Sequence, residues 1–419
     1  MPVGHVIPAA HTVSRPQFRD AAELLRDRDF AKLFSAHMVA WFGTSMAPIA
    51  MAFGVLHVTG SARDTGVVVA CQTAAQIVVL LFGGVVADRM SRRRVMVSAD
   101  LLAMSSQATM AIAFVTEHAH VPLMMALMVC NGVALAFHQP ALMGFIPQVV
   151  KPEKLQSANA LLGTARSGAF ALGAACAGVL VAVFGSGPTI AIDAAGFAVA
   201  ALLVSRIRAN PASPSRAATM LADLKSGWSE FVSHRWLWVI VLQFSLVVAA
   251  GQSIYGLIGP MVAKQSMGGP PDWGFISAAF GIGTLCGGFV AMRLNVVHPM
   301  RAATLCVFAF AAPALLLATT TKVWLVALGT FAHGVCGQNF GVLWMTTVQR
   351  KIPTEMLSRV SAYDALGSFA LAPLGIVAAG VAVEALGTQT TAWIAVAMVV
   401  VPTALALLVR DVRQMRLDS

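Results

Sequence analysis

The chain is a succession of apolar runs, most about 20 residues or longer, separated by short segments that hold most of its charged residues. Of its 419 residues, 58% are apolar and only 11% are charged, against about 25% charged in a typical soluble domain. A run of about 20 apolar residues is long enough to cross a hydrocarbon core of roughly 30 Å as a helix. So few charges cannot cover a water-facing surface. The pattern therefore predicts an all-α polytopic membrane protein.

The apolar runs predict twelve transmembrane helices in two sets of six. The first set is Phe30–His57, Gly66–Ala87, Val95–Thr116, Val121–Phe145, Ser157–Phe184 and Thr189–Ser205. The second set is Trp236–Ala263, Trp273–Met292, Ala302–Thr320, Val323–Val348, Ser361–Leu386 and Thr391–Val409.

These helices divide the chain into five parts. Residues 1–29 form an N-terminal tail with a short amphipathic helix, and residues 30–206 form the first six-helix half. A linker at 207–235 opens with a Pro- and Ser-rich stretch and continues with apolar residues at helical spacing, which predicts a surface helix. Residues 236–410 form the second six-helix half, and 411–419 form a C-terminal tail.

The basic residues orient the helices. The net charge is +10, but most of the 28 Lys and Arg fall in loops that share one side when both termini are cytoplasmic. Only Arg63, Lys264 and Lys322 fall on the other side. The positive-inside effect explains this distribution better than nucleic-acid binding does. We therefore expect a multi-pass protein of the cell inner (plasma) membrane, with the lipid bilayer and no nucleic acid as a partner, and no cleavable signal peptide.

All six cysteines lie within apolar runs, without the paired spacing of a metal site. They are interpreted as small buried apolar residues rather than ligands or members of disulfides. Neither a metal nor a cofactor is expected.

The two halves repeat one another weakly. One constant offset aligns Glu153 with Glu355, Leu155 with Leu357, and Gly173 with Gly375. The same offset matches the run Ala-Gly-Val at 177–179 to an identical run at 379–381. The repeat predicts two similar halves arranged side by side.

A short cationic loop lies between the second and third helices and reads GGVVADRMSRRR. Its residues Gly84, Asp88, Arg89, Arg92 and Arg93 resemble the loop signature of the major facilitator superfamily, with Ser91 in place of the inner glycine. The resemblance implies two six-helix halves related by a pseudo-two-fold axis along the membrane normal. It also implies that helices 1, 4, 7 and 10 line a central cavity.

Within this superfamily, three segments resemble the prokaryotic efflux branch that includes enterobactin-exporter-like and macrolide-efflux proteins. They are IPQVVKPEKLQSANALLG, AIDAAGF and SRVSAYDALGSFALAPLG. The resemblance implies export of a small amphipathic compound (a drug, antibiotic or siderophore), commonly as proton antiport. The sequence departs from the branch at Thr44, where many relatives carry an acid in helix 1, and at Met128 and Ala174.

On each of the helices expected to line the cavity, polar and aromatic side chains fall on one face, which suits an apolar pocket with a few orienting polar groups. The alternative interpretation of each of these residues is that it packs one helix against another. The candidate substrate-binding residues are Trp41, Ser45, Met46, Asn131, His138, Phe244, Gln252, Tyr255, His333, Gln338, Asn339 and Phe340.

Ionisable groups within a bilayer are functional candidates because they are costly to bury. Asp193, Asp364 and Arg166 are the candidate proton-coupling residues, with His138 or His333 as alternatives. Simpler structural interpretations also exist: Asp193 at a helix start can serve as its cap, and Asp100 can pair with the arginines of the loop before it.

The loop signature predicts a gating contact. The resemblance implies that the loop after helix 2 packs against the start of helix 11, at residues 357–359. Asp88 would accept hydrogen bonds from the unpaired N–H groups of that helix end, and Arg89, Arg92 and Arg93 would meet acids and lipid phosphates. Gly84 would let the helices approach closely.

Other functions stay open. An importer or a uniporter of a small metabolite uses the same fold, and a polytopic enzyme or a scaffold without transport is the alternative of a different class. An enzyme is not expected, because the sequence has no HExxH, Gly-x-Ser-x-Gly or phosphate-loop motif. We expect a monomer that carries a small-molecule substrate and protons.

Overall fold

A computed structural model describes residues 23–87, 90–208, 228–293 and 296–416. These ranges are almost entirely helical and contain no strand. The long helices of the first half are α1 (Arg28–Thr59), α2 (Ala62–Ala87), α3 (Arg92–Val115), α4 (Val121–Val149), α5 (Leu155–Phe184) and α6 (Ser186–Ser205). Those of the second half are α7 (Arg235–Ser266), α8 (Pro270–Ala291), α9 (Pro299–Thr319), α10 (Val323–Lys351), α11 (Thr354–Phe369 and Ala372–Leu386) and α12 (Thr388–Leu408).

Ten of these described helices, all except α2 and α10, are long and apolar enough to cross a membrane. The all-helical membrane fold is therefore confirmed. Short helical pieces lie outside the spans at 23–26, Pro152–Lys154, 228–233 and Arg410–Gln414. The predicted amphipathic helices of the tail and the linker fall mainly on residues 1–22 and 209–227, which lie outside the described residues.

Three helices of the second half contain irregular turns, and a proline explains each one. A proline removes the hydrogen bond to the carbonyl four residues earlier. In α7, Pro260 follows a π-helical turn at Ile254–Ile258, and in α9, Pro313 follows a 3₁₀ turn at Phe308–Ala311. In α11, Pro373 follows the break between Phe369 and Ala372. The irregular turns therefore occur where the sequence removes a backbone bond.

Helix packing follows the same scheme in both halves. In the first half, α2 and α3 pack on α4, α1 packs on α5 and α6, and α3 packs on α6. In the second half, α8 and α9 pack on α10, α7 packs on α11 and α12, and α9 packs on α12. The two most extensive interfaces between the halves, among the described residues, are α5 with α8 and α2 with α11.

One end of the first half is tied together by basic side chains. Lys154 Nζ lies 2.6 Å from Glu23 Oε1, and its hydrogen bond and charge lower the pKa of the Glu23 carboxyl. Arg93 and Lys32 donate to the carbonyls of Ile207 and Arg206, which follow α6. The tail before α1, the start of α3, the start of α5 and the end of α6 therefore lie on the same side.

Small residues let α5 and α8 approach closely across the boundary between the halves. A Cβ on Gly274 would lie 2.8 Å from the Ala174 carbonyl oxygen and from the Gly178 Cα. A Cβ on Gly281 would lie 2.7 Å from the Ala171 backbone nitrogen. Since neither space admits a methyl group, this interface depends on glycine.

We expect Gly281→Ala to lower the free energy of unfolding by about 1–3 kcal/mol, because the added methyl overpacks the α5–α8 contact. A Cβ on Gly288, which is on the same helix, would lie in open space, so Gly288→Ala is the matched control. That control should be neutral or slightly stabilising, since alanine favours a helix more than glycine does. Thermal unfolding of the two purified variants in detergent measures the difference. Equal unfolding midpoints would contradict the close contact.

Candidate functional site

A row of aromatic rings lies between α7, α9 and α10 in the second half. Phe244 and Phe340 stack with their centroids 4.7 Å apart, and Phe340 and Trp344 lie nearly parallel at 6.2 Å. Phe310 from the 3₁₀ turn of α9 packs edge-on against both phenylalanines, at 6.2 and 6.3 Å. The rings form a flat apolar wall.

A carboxyl group lies at the end of this wall. Trp344 Nε1 donates to Asp364 Oδ2 at 2.9 Å, and Ser368 Oγ donates to Asp364 Oδ1 at 3.2 Å. Phe244, Phe340, Trp344, Asp364 and Ser368 all line one cavity of about 180 Å³. Two predicted substrate-binding residues and one predicted proton-coupling residue therefore share a cavity.

Two other predicted residues, Tyr255 and His333, meet above the row. The Tyr255 hydroxyl lies 2.9 Å from His333 Nδ1, so the two share one hydrogen bond. The imidazole also contacts the rings of Phe310 and Phe280, with centroids 4.2 and 5.1 Å away. Tyr255 lies in the π-helical turn of α7, and Phe310 lies in the 3₁₀ turn of α9. The irregular backbone of both helices thus surrounds His333.

The predicted amides of the second half contact neighbouring helices. Gln252 Nε2 lies 3.4 Å from Thr73 Oγ1, which joins α7 to α2 of the other half. Asn339 donates to the Gly287 carbonyl at 3.3 Å and so ties α10 to α8, and the half-buried Gln338 packs beside the same glycine.

The predicted residues of the first half mostly contact other helices. Ser45 Oγ donates to the Ala169 carbonyl at 3.1 Å, and Met46 is fully buried. Asn131 accepts a 2.8 Å hydrogen bond from Gln72 Nε2. Trp41 is half-buried. These contacts tie α1 to α5 and α4 to α2.

His138 contacts an acid from another helix. Its Nε2 lies 3.2 Å from Asp100 Oδ1. The expected pairing of Asp100 with the arginines before it is therefore wrong. Arg93, two turns earlier on α3, reaches the Ile207 carbonyl instead, because a long side chain near a helix end extends towards the interface.

Asp193 is buried between α1, α3 and α6. It accepts a 2.6 Å hydrogen bond from Gln107 Nε2 and one of 3.4 Å from Thr44 Oγ1. Helix α6 begins at Ser186, two turns earlier, so the alternative interpretation of Asp193 as a helix cap is wrong. Its carboxyl group thus lies beside Thr44 on α1. Arg166, on α5, is exposed.

The predicted gating loop is described only in part. Asp88 and Arg89 lie outside the described residues, and Gly84 lies in a part of α2 whose side-chain surroundings are not described. Arg92 packs against the Gly144 backbone on α4. The gating contact stays a prediction.

A contact between the halves that the sequence did not reveal lies at the opposite end of the molecule. Glu384 Oε1, at the end of α11, accepts hydrogen bonds from Ser61 Oγ (2.8 Å) and the Arg63 backbone N–H (3.1 Å) at the start of α2. Lys264 Nζ, at the end of α7, donates to the Leu56 carbonyl at the end of α1 (3.1 Å). An anion meets a positive helix end and a cation meets a negative one, as the helix dipole favours. We call these two contacts the end clamp.

No three His, Cys, Asp or Glu side chains in the described ranges come together in a way that could hold a metal ion. The candidate site is thus an apolar, aromatic cavity with one carboxyl group, accompanied by two groups of buried ionisable side chains in the other half.

Sequence comparison identifies a family and several relatives. The family model of the Major Facilitator Superfamily matches residues 33–360. The macrolide efflux protein A of Streptococcus pyogenes is 22% identical over 377 residues, covering 86% of this chain and 90% of the relative. The multidrug efflux pump Tap of Mycolicibacterium fortuitum is 24% identical, with 86% and 90% covered. The enterobactin exporter EntS of Escherichia coli O6:H1 is 24% identical, with 83% and 85% covered.

Structure comparison identifies the same fold. A mutant form of the nucleoside transporter NupG superposes with a TM-score of 0.75 at 14% identity, covering 92% of this chain and 99% of that one. A bacterial homologue of the human lysosomal transporter Spinster superposes with a TM-score of 0.69 at 14% identity, covering 94% and 97%.

The Asp193–Gln107 hydrogen bond should contribute measurably to stability. Gln107→Leu leaves a buried carboxyl group without its main donor, and we expect a loss of about 1–3 kcal/mol in the free energy of unfolding. In a double-mutant cycle, Asp193→Leu with Gln107→Leu should cost clearly less than the sum of the single changes. Ser105→Ala, an exposed change on the same helix, is the control. Strict additivity in the cycle would contradict the pairing.

Proposed function

Because the chain belongs to the major facilitator superfamily, we propose that it is a secondary active transporter that exports a small amphipathic compound in exchange for protons. The observation that carries the direction is its similarity, over 83–86% of its length, to proteins named for macrolide efflux, multidrug efflux and enterobactin export. Membership of a transporter superfamily also makes a non-enzyme the expected class.

The proposed architecture is twelve spans in two six-helix halves. The equivalent packing partners support it: α2 on α4 corresponds to α8 on α10, and α1 on α5 corresponds to α7 on α11. The two most extensive interfaces between the halves, α2 with α11 and α5 with α8, are also each other's equivalents. A pseudo-two-fold axis along the membrane normal would generate this scheme.

The proposed substrate site is the cavity beside the aromatic row. Stacked rings offer apolar contact to a variable ligand, and the Asp364 carboxyl and Ser368 hydroxyl orient its polar part. An amphipathic compound with an apolar body and at least one polar group fits this lining. The remaining predicted residues, such as His333 and Asn131, would join the site as the halves move.

Proton coupling is assigned to two carboxyl groups within the spans. We infer that Asp193, which is buried, and Asp364, which is half-buried, carry protons, because the apolar surroundings favour the neutral form while two hydrogen bonds to each group favour the ionised form. Arg166, which is exposed on α5, is retained as the third candidate proton-coupling residue.

The end clamp would close one side of the transporter. Most basic residues lie at the opposite end. By the positive-inside rule, the clamp would then lie on the outer face of the inner membrane, and both termini would lie in the cytoplasm. Alternating access then requires the clamp to open, while the loop around Asp88 closes the cytoplasmic side.

Transport in proteoliposomes tests the proposal. With a pH gradient imposed, the purified protein should move ethidium or erythromycin, and Asp193→Asn should stop this movement while probe binding is kept. Asp364→Asn should also stop the movement, and it should weaken probe binding because Asp364 lines the proposed substrate cavity. Glu153→Gln, at an exposed acid in the short helical piece before α5, is the control and should transport normally.

Three results would count against this proposal. Normal transport by both aspartate variants would contradict the assigned proton carriers. Gradient-driven uptake in the opposite direction would favour an importer, which the shared fold with a nucleoside transporter allows. Movement without any gradient requirement would favour a uniporter.

We expect Glu384→Gln to shift the protein towards the outward-open form about two- to fivefold, because a charge at a helix end contributes about 0.3–1 kcal/mol. Spin labels on cysteines placed at Val58 and Leu386, in a variant without native cysteines, would report the distance between the halves. Lys264→Gln should act in the same direction.

Glu117→Gln, another exposed acid expected on the outer face, is the matched control and should leave the distances unchanged. Identical distance distributions in the wild type and in both clamp variants would refute the clamp.

A further inference from the structure

Three ionisable side chains from three helices meet inside the first half. They are His37 on α1, Asp100 on α3 and His138 on α4. His138 Nε2 lies 3.2 Å from Asp100 Oδ1, and the rings of His37 and His138 lie 5.4 Å apart. His37 and Asp100 are each only 1% exposed. We call this group the α1–α3–α4 cluster.

The Asp100 carboxyl lacks the contacts that an ionised carboxylate needs. Among the described residues, neither of its oxygens has a hydrogen-bond partner. Its approach to His138 is close, yet it lacks the alignment of a hydrogen bond. A buried carboxylate without donors is strongly disfavoured unless it takes up a proton or pairs with a cation. Protonation of the carboxyl group meets this cost without placing a second charge on the neighbouring His138.

His37 provides a second place for a proton. Its Nδ1 lies 2.8 Å from the Leu33 carbonyl, which can only accept, so Nδ1 carries a hydrogen. Its Nε2 is buried and has no hydrogen-bond partner among the described residues. The Trp41 ring lies 5.1 Å from this imidazole, and an aromatic face favours a neighbouring cation.

Other charged groups on the surrounding helices are engaged elsewhere. Asp193 on α6 bonds to Gln107, two turns farther along α3 than Asp100. Lys32 on α1 bonds to Asp29, and Arg93 on α3 bonds to the Ile207 carbonyl. The other charged residues described on α1 to α6 are Arg28, Arg63, Asp64, Arg92, Arg94 and Arg166, towards the helix ends or exposed.

We propose that the α1–α3–α4 cluster is a proton-binding site, with the proton held on the Asp100 carboxyl in this conformation. His138 is the route for exchange, because its side chain is 12% exposed whereas that of Asp100 is 1% exposed. After a small rotation of the ring, His138 Nε2 is aligned with the Asp100 carboxyl group and accepts its proton. The cluster thus supplies a proton carrier beyond Asp193 and Asp364, and this role in coupling rests on the proposed function.

Infrared spectroscopy tests proton binding without any substrate. The purified full-length protein should show the C=O stretch of a protonated buried carboxyl, and Asp100→Asn should remove a component of that band. Asp100→Glu, which keeps a carboxyl group, should retain it. Asp193→Asn and Asp364→Asn are matched controls that should leave the Asp100 component in place. Identical spectra for the wild type and a folded Asp100→Asn variant across the pH range would overturn the proposal.

Transport then separates the site from the proposed function. With erythromycin as the probe, Asp100→Asn should abolish movement driven by a pH gradient but keep exchange of labelled for unlabelled probe without a gradient. Unchanged gradient-driven movement would overturn the coupling role. Absence of probe movement by the wild type, with the infrared component present, would count against the proposed function while the proton site stands.

Discussion

Polar groups inside the hydrocarbon have no water to bond, so leaving one without a partner in the chain is costly, and this constraint governs the whole structure. Backbone groups meet it by forming helices. Several buried side chains meet it by pairing between helices: Gln72 with Asn131 joins α2 to α4, and Gln107 with Asp193 joins α3 to α6. Gln243 with Thr403 joins α7 to α12 in the second half. Each pair fixes which helices are neighbours, and the close glycine contacts then set how near they approach.

The spans could be predicted from the sequence because the length of an apolar run is a local property. The predicted end of α5 at Phe184 and that of α6 at Ser205 agree with the structure. The start of α11 was predicted at Ser361 but lies at Thr354, because polar residues can continue a helix beyond the bilayer and then carry no apolar signal. The irregular turns of α7 and α9 were not foreseen, although Pro260 and Pro313 mark both of them.

The partners of the buried charges could not be predicted, because they come from distant parts of the chain. Arg93 is the nearest cation to Asp100 in sequence, yet the acid meets His138 on another helix. The one sign of the Gln107–Asp193 bond in the sequence is an amide side chain within a transmembrane run. Thr44 shows the same limit: the resemblance led us to expect an acid on helix 1, and the structure places a carboxyl group beside that position from α6. Predicted substrate residues such as Phe244 and Phe340 do share a cavity, because helical spacing put them on facing surfaces.

The location of these groups constrains how coupling can work. The proposed proton sites around Asp100 and Asp193 lie within the first half, whereas the aromatic cavity with Asp364 lies within the second. A proton that binds in one half can affect a ligand in the other only through contacts that differ between two arrangements of the halves. The contacts that cross between the halves in this arrangement are the α2–α11 and α5–α8 interfaces, the Gln252–Thr73 approach and the end clamp. The clamp consists of charged side chains at helix ends near water, where a broken hydrogen bond is readily replaced by one to water. The close glycine contacts of α5 and α8 have no such replacement and so resist separation. Movement of the halves should therefore begin at the clamp and pivot about the α5–α8 contact.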